Sequence, residues 1–194
     1  MNSWELPKTL TVGSDVYAIR SDFRAVLDIL KYFNDPDYEQ DEKWWICLDI
    51  LYVGFQEMPK ELWSEAAEQA VLFIDMGMEE NEGPKPRLMD WEQDAPIIIP
   101  SVNRVLGKEV RTLPYLHWWT FMGAYMEIGE SLFSQVVSFR KKRVQKKKLE
   151  KWEKEFYKEN KSLCDLKKRY SREEQEEQEH LKAILDQGGE KTWQ

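Results

Sequence analysis

Residues 6–20 (LPKTLTVGSDVYAIR) alternate Leu10 and Val12 with Thr9 and Thr11, turn at Gly13-Ser14-Asp15, and resume with Val16, Tyr17 and Ile19. A period of two broken by a glycine turn predicts a short β-hairpin. At Phe23 the period lengthens. Phe23, Val26, Leu27, Leu30 and Phe33 form one helical face behind the N-cap candidates Ser21 and Asp22, with an end near Asn34. A second helix starts around Trp44 and Trp45 and stops near Gly54. A third follows Pro59, carries Leu62, Trp63, Ala66, Ala70, Phe73 and Ile74, and ends at Gly77. Asp94 and Pro96 open a fourth helix that runs to Leu106, although Pro100 lies deep enough to displace its start. Thr112 and Pro114 then open an aromatic helix whose His117, Trp118, Trp119, Phe121, Met122, Tyr125, Met126 and Ile128 are too densely apolar for a surface element. It reads as core. After a break at Gly129, Leu132, Phe133, Val136, Val137 and Phe139 resume the helical pattern.

Beyond Phe139 the pattern changes character. Leu149, Trp152, Phe156, Leu163, Leu166 and Tyr170 recur at heptad-like steps, with Glu159 in the one missing position. No glycine occurs from Ser131 to Gln187, so the expectation is one long helix with a narrow apolar seam, followed by a solvated helical tail. The fold class expected is mainly α: a short N-terminal β-hairpin, a helical core, and a long basic heptad-like C-terminal helix. Residues 1–139 form the hairpin and core domain, and residues 140–194 form a basic, then charged, helical extension. Residues 78–95 carry six acids, two bases, two prolines and a glycine, which predicts an exposed acidic linker.

Composition agrees with a folded, water-compatible chain. Hydrophobic residues make up 42% and charged residues 33% of the 194, and the mean hydropathy is -0.68. The strongest apolar run, residues 44–55, is interrupted by Asp49 and falls short of the roughly 20 residues a bilayer requires. The N-terminus MNSWELPKTL lacks the layout of a signal peptide, so a cytoplasmic protein is expected. Cys47 and Cys164 have no CxxC spacing and no histidine cluster, and read as reduced thiols. Charge divides the chain. Residues 1–139 hold 11 bases and 24 acids, net -13, whereas residues 140–194 hold 17 bases and 12 acids, net +5. Such asymmetry points to polar association, between the two ends or with an outside partner.

Candidate chemistry is sparse. The two histidines, His117 and His180, have no triad company, no nucleotide loop of the GxxxxGK[ST] or GxGxxG type occurs, and no ligand set is spaced for a metal. The residues imply no enzyme and no cofactor. What stands out is Arg140, Lys141, Lys142, Arg143, Lys146, Lys147 and Lys148, seven positive charges in nine residues. A run of this kind attracts phosphate, but the overall acidity opposes nucleic acid, which is the weaker alternative. With the seam residues Leu149, Trp152, Phe156, Leu163 and Leu166 the run suits a helical protein partner, the charges steering and the seam binding. Self-association would serve the same seam equally well.

Four runs carry a resemblance. DWEQDAPIIIPSVNRVLG (90–107), HWWTFMGAYMEIGE (117–130), VSFRKKR (137–143) and KKLEKWEKEFYKENKSLCDL (147–166) closely resemble the phage "gene product fifteen" family of Gram-positive siphophages and prophages. The resemblance implies a tail-module protein that looks like a tail assembly chaperone. Such proteins are thought to coat the helical tape-measure protein and keep it soluble in the host cytoplasm during phage assembly. On that expectation the basic run and the seam are the partner-binding residues, and no membrane is involved.

Overall fold

In the computed structural model, residues 4–78 and 86–189 are described, with side chains through residue 180. Among them the chain is mainly helical behind one hairpin. Strands β1 (Thr9–Val12) and β2 (Asp15–Ala18) pair antiparallel, Val12 opposite Asp15. Gly13 takes a positive φ of 61°, as the first position of a two-residue hairpin turn demands. Its amide donates to Glu65 Oε1 at 2.8 Å, and a Cβ there would meet Leu62 at 3.1 Å, so shape as well as torsion favours glycine.

Nine α-helices follow among the described residues: α1 (Phe23–Phe33), α2 (Gln40–Leu51), α3 (Trp63–Ile74), α4 (Ala95–Leu106), α5 (Trp118–Met126), α6 (Leu132–Val144), α7 (Lys151–Glu159), α8 (Lys161–Cys164) and α9 (Arg172–Gly189). Asp22 caps α1 and Ser131 caps α6, as residue chemistry favours. In α4 the start is not displaced. Ala95 and Pro96 open the helix and Pro100 is accommodated inside it, with the Asp94 carbonyl accepting from Ile97 and Ile98 at 2.9 Å. The aromatic helix begins later than Thr112. Residues Val110–Thr112 form a 3-10 turn, and α5 starts at Trp118 with His117 as its N-cap.

One core runs through these elements. Helix α1 packs on α2 and α5, α2 on α3, and α5 on α4, while β1 lies on α3 with Leu10 and Val12 buried. Trp118, fully buried, and its half-buried neighbour Trp119 explain why the aromatic segment is interior. Their indole N–H groups donate to the carbonyls of Ile74 and Phe73, each at 2.8 Å, at the end of α3, where Phe73 also accepts from the Met76 amide. Phe23 stacks on Phe121 at 4.6 Å, and Trp91 meets Tyr125 at 4.9 Å. His117 is bonded at both ring nitrogens: Nδ1 accepts from the Trp119 amide at 3.0 Å, and Nε2–H donates to the Pro7 carbonyl at 2.9 Å. Burial holds its pKa below the ordinary value, and Lys8 pushes the same way. It is a structural histidine, as its isolation in the sequence suggested.

The expected long C-terminal helix does not form. α6 ends at Val144, and Lys146 adopts a left-handed φ of 53°. Its amide reaches the Arg143 carbonyl at 3.0 Å and that of Lys147 reaches Lys142 at 2.9 Å, a helix-ending pattern that glycine usually supplies. A new capping box, Glu150 with Glu153, then starts α7, and the chain turns again at Asn160. The heptad-like spacing is therefore split between the α6–α7 connection, α7, α8 and the connection to α9.

Candidate partner-binding site

The basic run is not one surface. Arg140 leaves it entirely, with a side chain 5% exposed facing the fully buried Asp94. Nη1 and Nη2 donate to the two oxygens of Asp94 at 2.6 and 2.8 Å, Nη1 also reaches the Leu88 carbonyl at 3.0 Å, and Nε reaches that of Cys164 at 3.1 Å. Leu163 accepts a further bond from Nη2. A planar guanidinium with five donors suits a buried carboxylate ringed by carbonyls, where lysine would not. The expectation that Arg140 meets a partner is corrected: it clamps α6 to the segment before α4 and to the end of α8.

Two further members are also committed. Lys142 pairs with Glu153 at 2.6 Å, and Arg143 pairs with Asp165 and lies over the Phe139 and Tyr157 rings at 5.8 and 5.1 Å. Lys141, Lys146, Lys147 and Lys148 are exposed and pair with no acid among the described residues. The seam divides in the same way. Phe156 and Leu163 are half-buried against the core, Leu149 and Leu166 are half-buried, and Trp152 stands 59% exposed. Packing onto α6 and the core uses up most of the stripe that was expected to receive a partner helix.

Of the acidic segment, residues 79–85 lie outside the described set, while residues 87–94 are tied to the fold rather than exposed as a linker. Asp90 is buried and accepts from the Glu92 and Gln93 amides at 2.9 and 2.7 Å, from Arg169 at 2.8 Å, and from Arg87. Burial opposes its ionisation, but the Gln93 amide and the two arginines outweigh burial and hold the carboxyl below its usual range. Gln93 donates to the Asp165 carbonyl at 2.8 Å and accepts from the Lys167 amide at 2.9 Å. Residues 140–170 are thus fastened to residues 88–94, and the boundary drawn at residue 140 falls on a buried clamp.

A different surface is open. Between α2 and α3 lies an apolar groove of about 920 Å³, lined by Tyr38, Trp44, Trp45, Leu48, Trp63 and Ala67 and edged by Asp41 and Glu42. Phe33 meets Trp44 edge-on at 4.9 Å, and Phe55 supports Trp45 and Trp63 at 6.0 and 5.0 Å. Trp45 remains 42% exposed. Sequence reasoning assigned Trp44 and Trp45 to one helix and Trp63 to the next, and missed the groove between them.

Cys47 and Cys164 are buried, and burial pushes the Cys47 thiol up to about 12 and raises that of Cys164 as well. No group of three or more His, Cys, Asp and Glu among these residues could hold a metal, and no helix is long and apolar enough to cross a membrane.

The family model described as Bacteriophage Gp15 protein matches residues 3–166. The chain belongs to that family. It is accordingly a bacteriophage protein of the structural, tail-related kind. The match takes in the hairpin, the whole aromatic core and the clamped segment as far as Leu166, and leaves Arg169 and α9 outside. No curated protein and no solved structure matches the chain.

Proposed function

We propose that the chain is a non-enzymatic tail assembly chaperone, acting in the host cytoplasm, that holds a helical phage protein, the tape measure, on the groove between α2 and α3. The observation that carries this reading is the groove itself: three tryptophans and a tyrosine held open by supporting rings, with Trp45 exposed. Contiguous exposed apolar surface rimmed by polar residues marks interaction sites. Aromatic-lined grooves accept the apolar face of an amphipathic helix, and Asp41 and Glu42 favour one flanked by lysine or arginine. Family membership supplies the tail setting.

Co-expression of the chain with the tape-measure protein of its own phage tests the reading. The expected result is a soluble complex that is lost with Trp45→Ala, the tape measure being insoluble when expressed alone. A tape measure equally soluble with Trp45→Ala would refute the groove as its seat. The four exposed lysines, unpaired among the described residues, favour nucleic acid as a second reading. If they alone made the phosphate contacts, duplex affinity would fall with salt at a logarithmic slope of about -3.6.

A further inference from the structure

Two exposed surfaces are opposite in charge. One is the tip of the α6–α7 hairpin, where Lys146, Lys147 and Lys148 stand exposed, with Lys151 and Trp152 on the first turn of α7. The other is the α2–α3 groove, whose apolar walls are edged by Asp41 and Glu42. The groove already shows that one of its rings takes a cation: Lys60 Nζ lies 5.7 Å from the centre of Trp63. The two surfaces sit on elements that do not pack together. α2 lies against α1 and α3, whereas α6 lies against α4 and α8, and α7 against α8.

We propose that the basic tip of one copy docks in the acid-edged groove of a second copy. Trp152 meets the aromatic walls while Lys146, Lys147 and Lys148 face Asp41 and Glu42. Because the tip and the groove are different patches, the contact is head-to-tail, and each bound pair keeps one free tip and one free groove. Association therefore continues into a ring or an open filament. The groove is also the one assigned above to the helical client, so on that reading a second copy covers it until the client displaces it. The self-docking itself requires only the two surfaces described here.

Sedimentation velocity of the purified full chain over a concentration series, in low and high salt, tests it. The expected wild-type result is a mass that rises with concentration, with affinity falling about tenfold or more as salt screens the charges. Lys146→Glu/Lys147→Glu/Lys148→Glu should be monomeric, and so should Asp41→Lys/Glu42→Gln, in which the introduced glutamine keeps the capping acceptor of α2. Mixed, these two variants should form a dimer that grows no further, since one supplies an intact groove and the other an intact tip. Trp152→Ala, a change to an exposed side chain, should weaken association in the same assay. A wild type that stays monomeric throughout overturns the proposal, as do charge variants that associate like wild type. Loss of binding to a duplex DNA probe by the lysine variant, with self-association unchanged, overturns it in favour of nucleic acid. A monomeric wild type that still solubilises the tape measure would sink this inference and leave the chaperone reading standing.

Discussion

Around Trp118 the chain is held by rings and aliphatic side chains, and polar groups serve chiefly to close helix ends, as the two indoles do for α3 and His117 does for α5. Around Arg140 the proportions reverse. There a segment is fastened by Arg140 on Asp94, Arg169 on Asp90 and Lys142 on Glu153, with Phe156 and Leu163 supplying the apolar contact. Apolar packing is non-directional and tolerates similar shapes, whereas a guanidinium sharing a buried carboxylate with three carbonyls fits in one register. Desolvation offsets much of what a buried pair contributes, so the gain over an apolar contact lies more in placement than in strength. The hairpin of α6 and α7 is thereby held at a fixed place on the molecule, which matters if its tip is a docking element.

The largest blow to this comparison comes from the aromatic side. Trp118→Ala opens a cavity and leaves the Ile74 carbonyl without its donor, at a cost of about 5 kcal/mol. Urea unfolding should show one cooperative transition moved to much lower denaturant. Two separate transitions in this variant would show that residues 140–170 fold independently of the core.

Arg140→Met comes next, because it strands a fully buried carboxylate, and should cost about 3–4 kcal/mol. Here the expected loss is regional: amide hydrogen exchange should accelerate over residues 140–170 and 88–94 while α1, α3 and α5 stay protected. Uniform acceleration throughout the chain would mean that the clamp is as integral as the core.

Acidity separates the two regions further. Neutral His117 accepts from Trp119, and burial lowers its pKa, so its contribution is complete above the unfolded value of about 6.5 and declines as pH falls below it. Asp90 is held below its ordinary range, so its contribution is complete above about 3.9 and is lost as pH falls through the folded value. Melting between neutral pH and pH 5 should therefore weaken through His117 while the Asp90 clamp remains intact. His117→Ala, costing about 2 kcal/mol through the lost cap and the Pro7 bond, should flatten that slope. An unchanged slope in this variant would assign the titration elsewhere.

What the sequence disclosed follows the same division. The hairpin, α1, the break at Gly129 and the core position of Trp118 rest on local patterns: period, caps, turn glycines and dense rings. The clamps do not. Asp94 and Arg140 are 46 residues apart and Asp90 and Arg169 are 79 apart, and nothing local to either marks it as buried. A charge run reads as solvated until its partners are known, so residue chemistry alone places Arg140 on the outside. The groove escapes because it lies between two helices, whereas periodicity describes one helix at a time.

The missed turn after α6 has the same origin and offers the finest test. Lys146 takes a left-handed conformation that costs an L-residue about 1–2 kcal/mol, and tertiary pairing on both sides of the turn holds it there. Lys146→Gly removes that strain but adds freedom to the unfolded chain, offsetting about 0.5–1 kcal/mol of the gain. The net expectation is a stabilisation of about 0.5 kcal/mol, a small upward shift in melting temperature. Lys146→Val, β-branched and poorly suited to positive φ, should shift it down. If the glycine variant instead melted lower, the turn would be less strained than its torsion implies, and a helix running on through residue 146 would become the better description of the segment in solution.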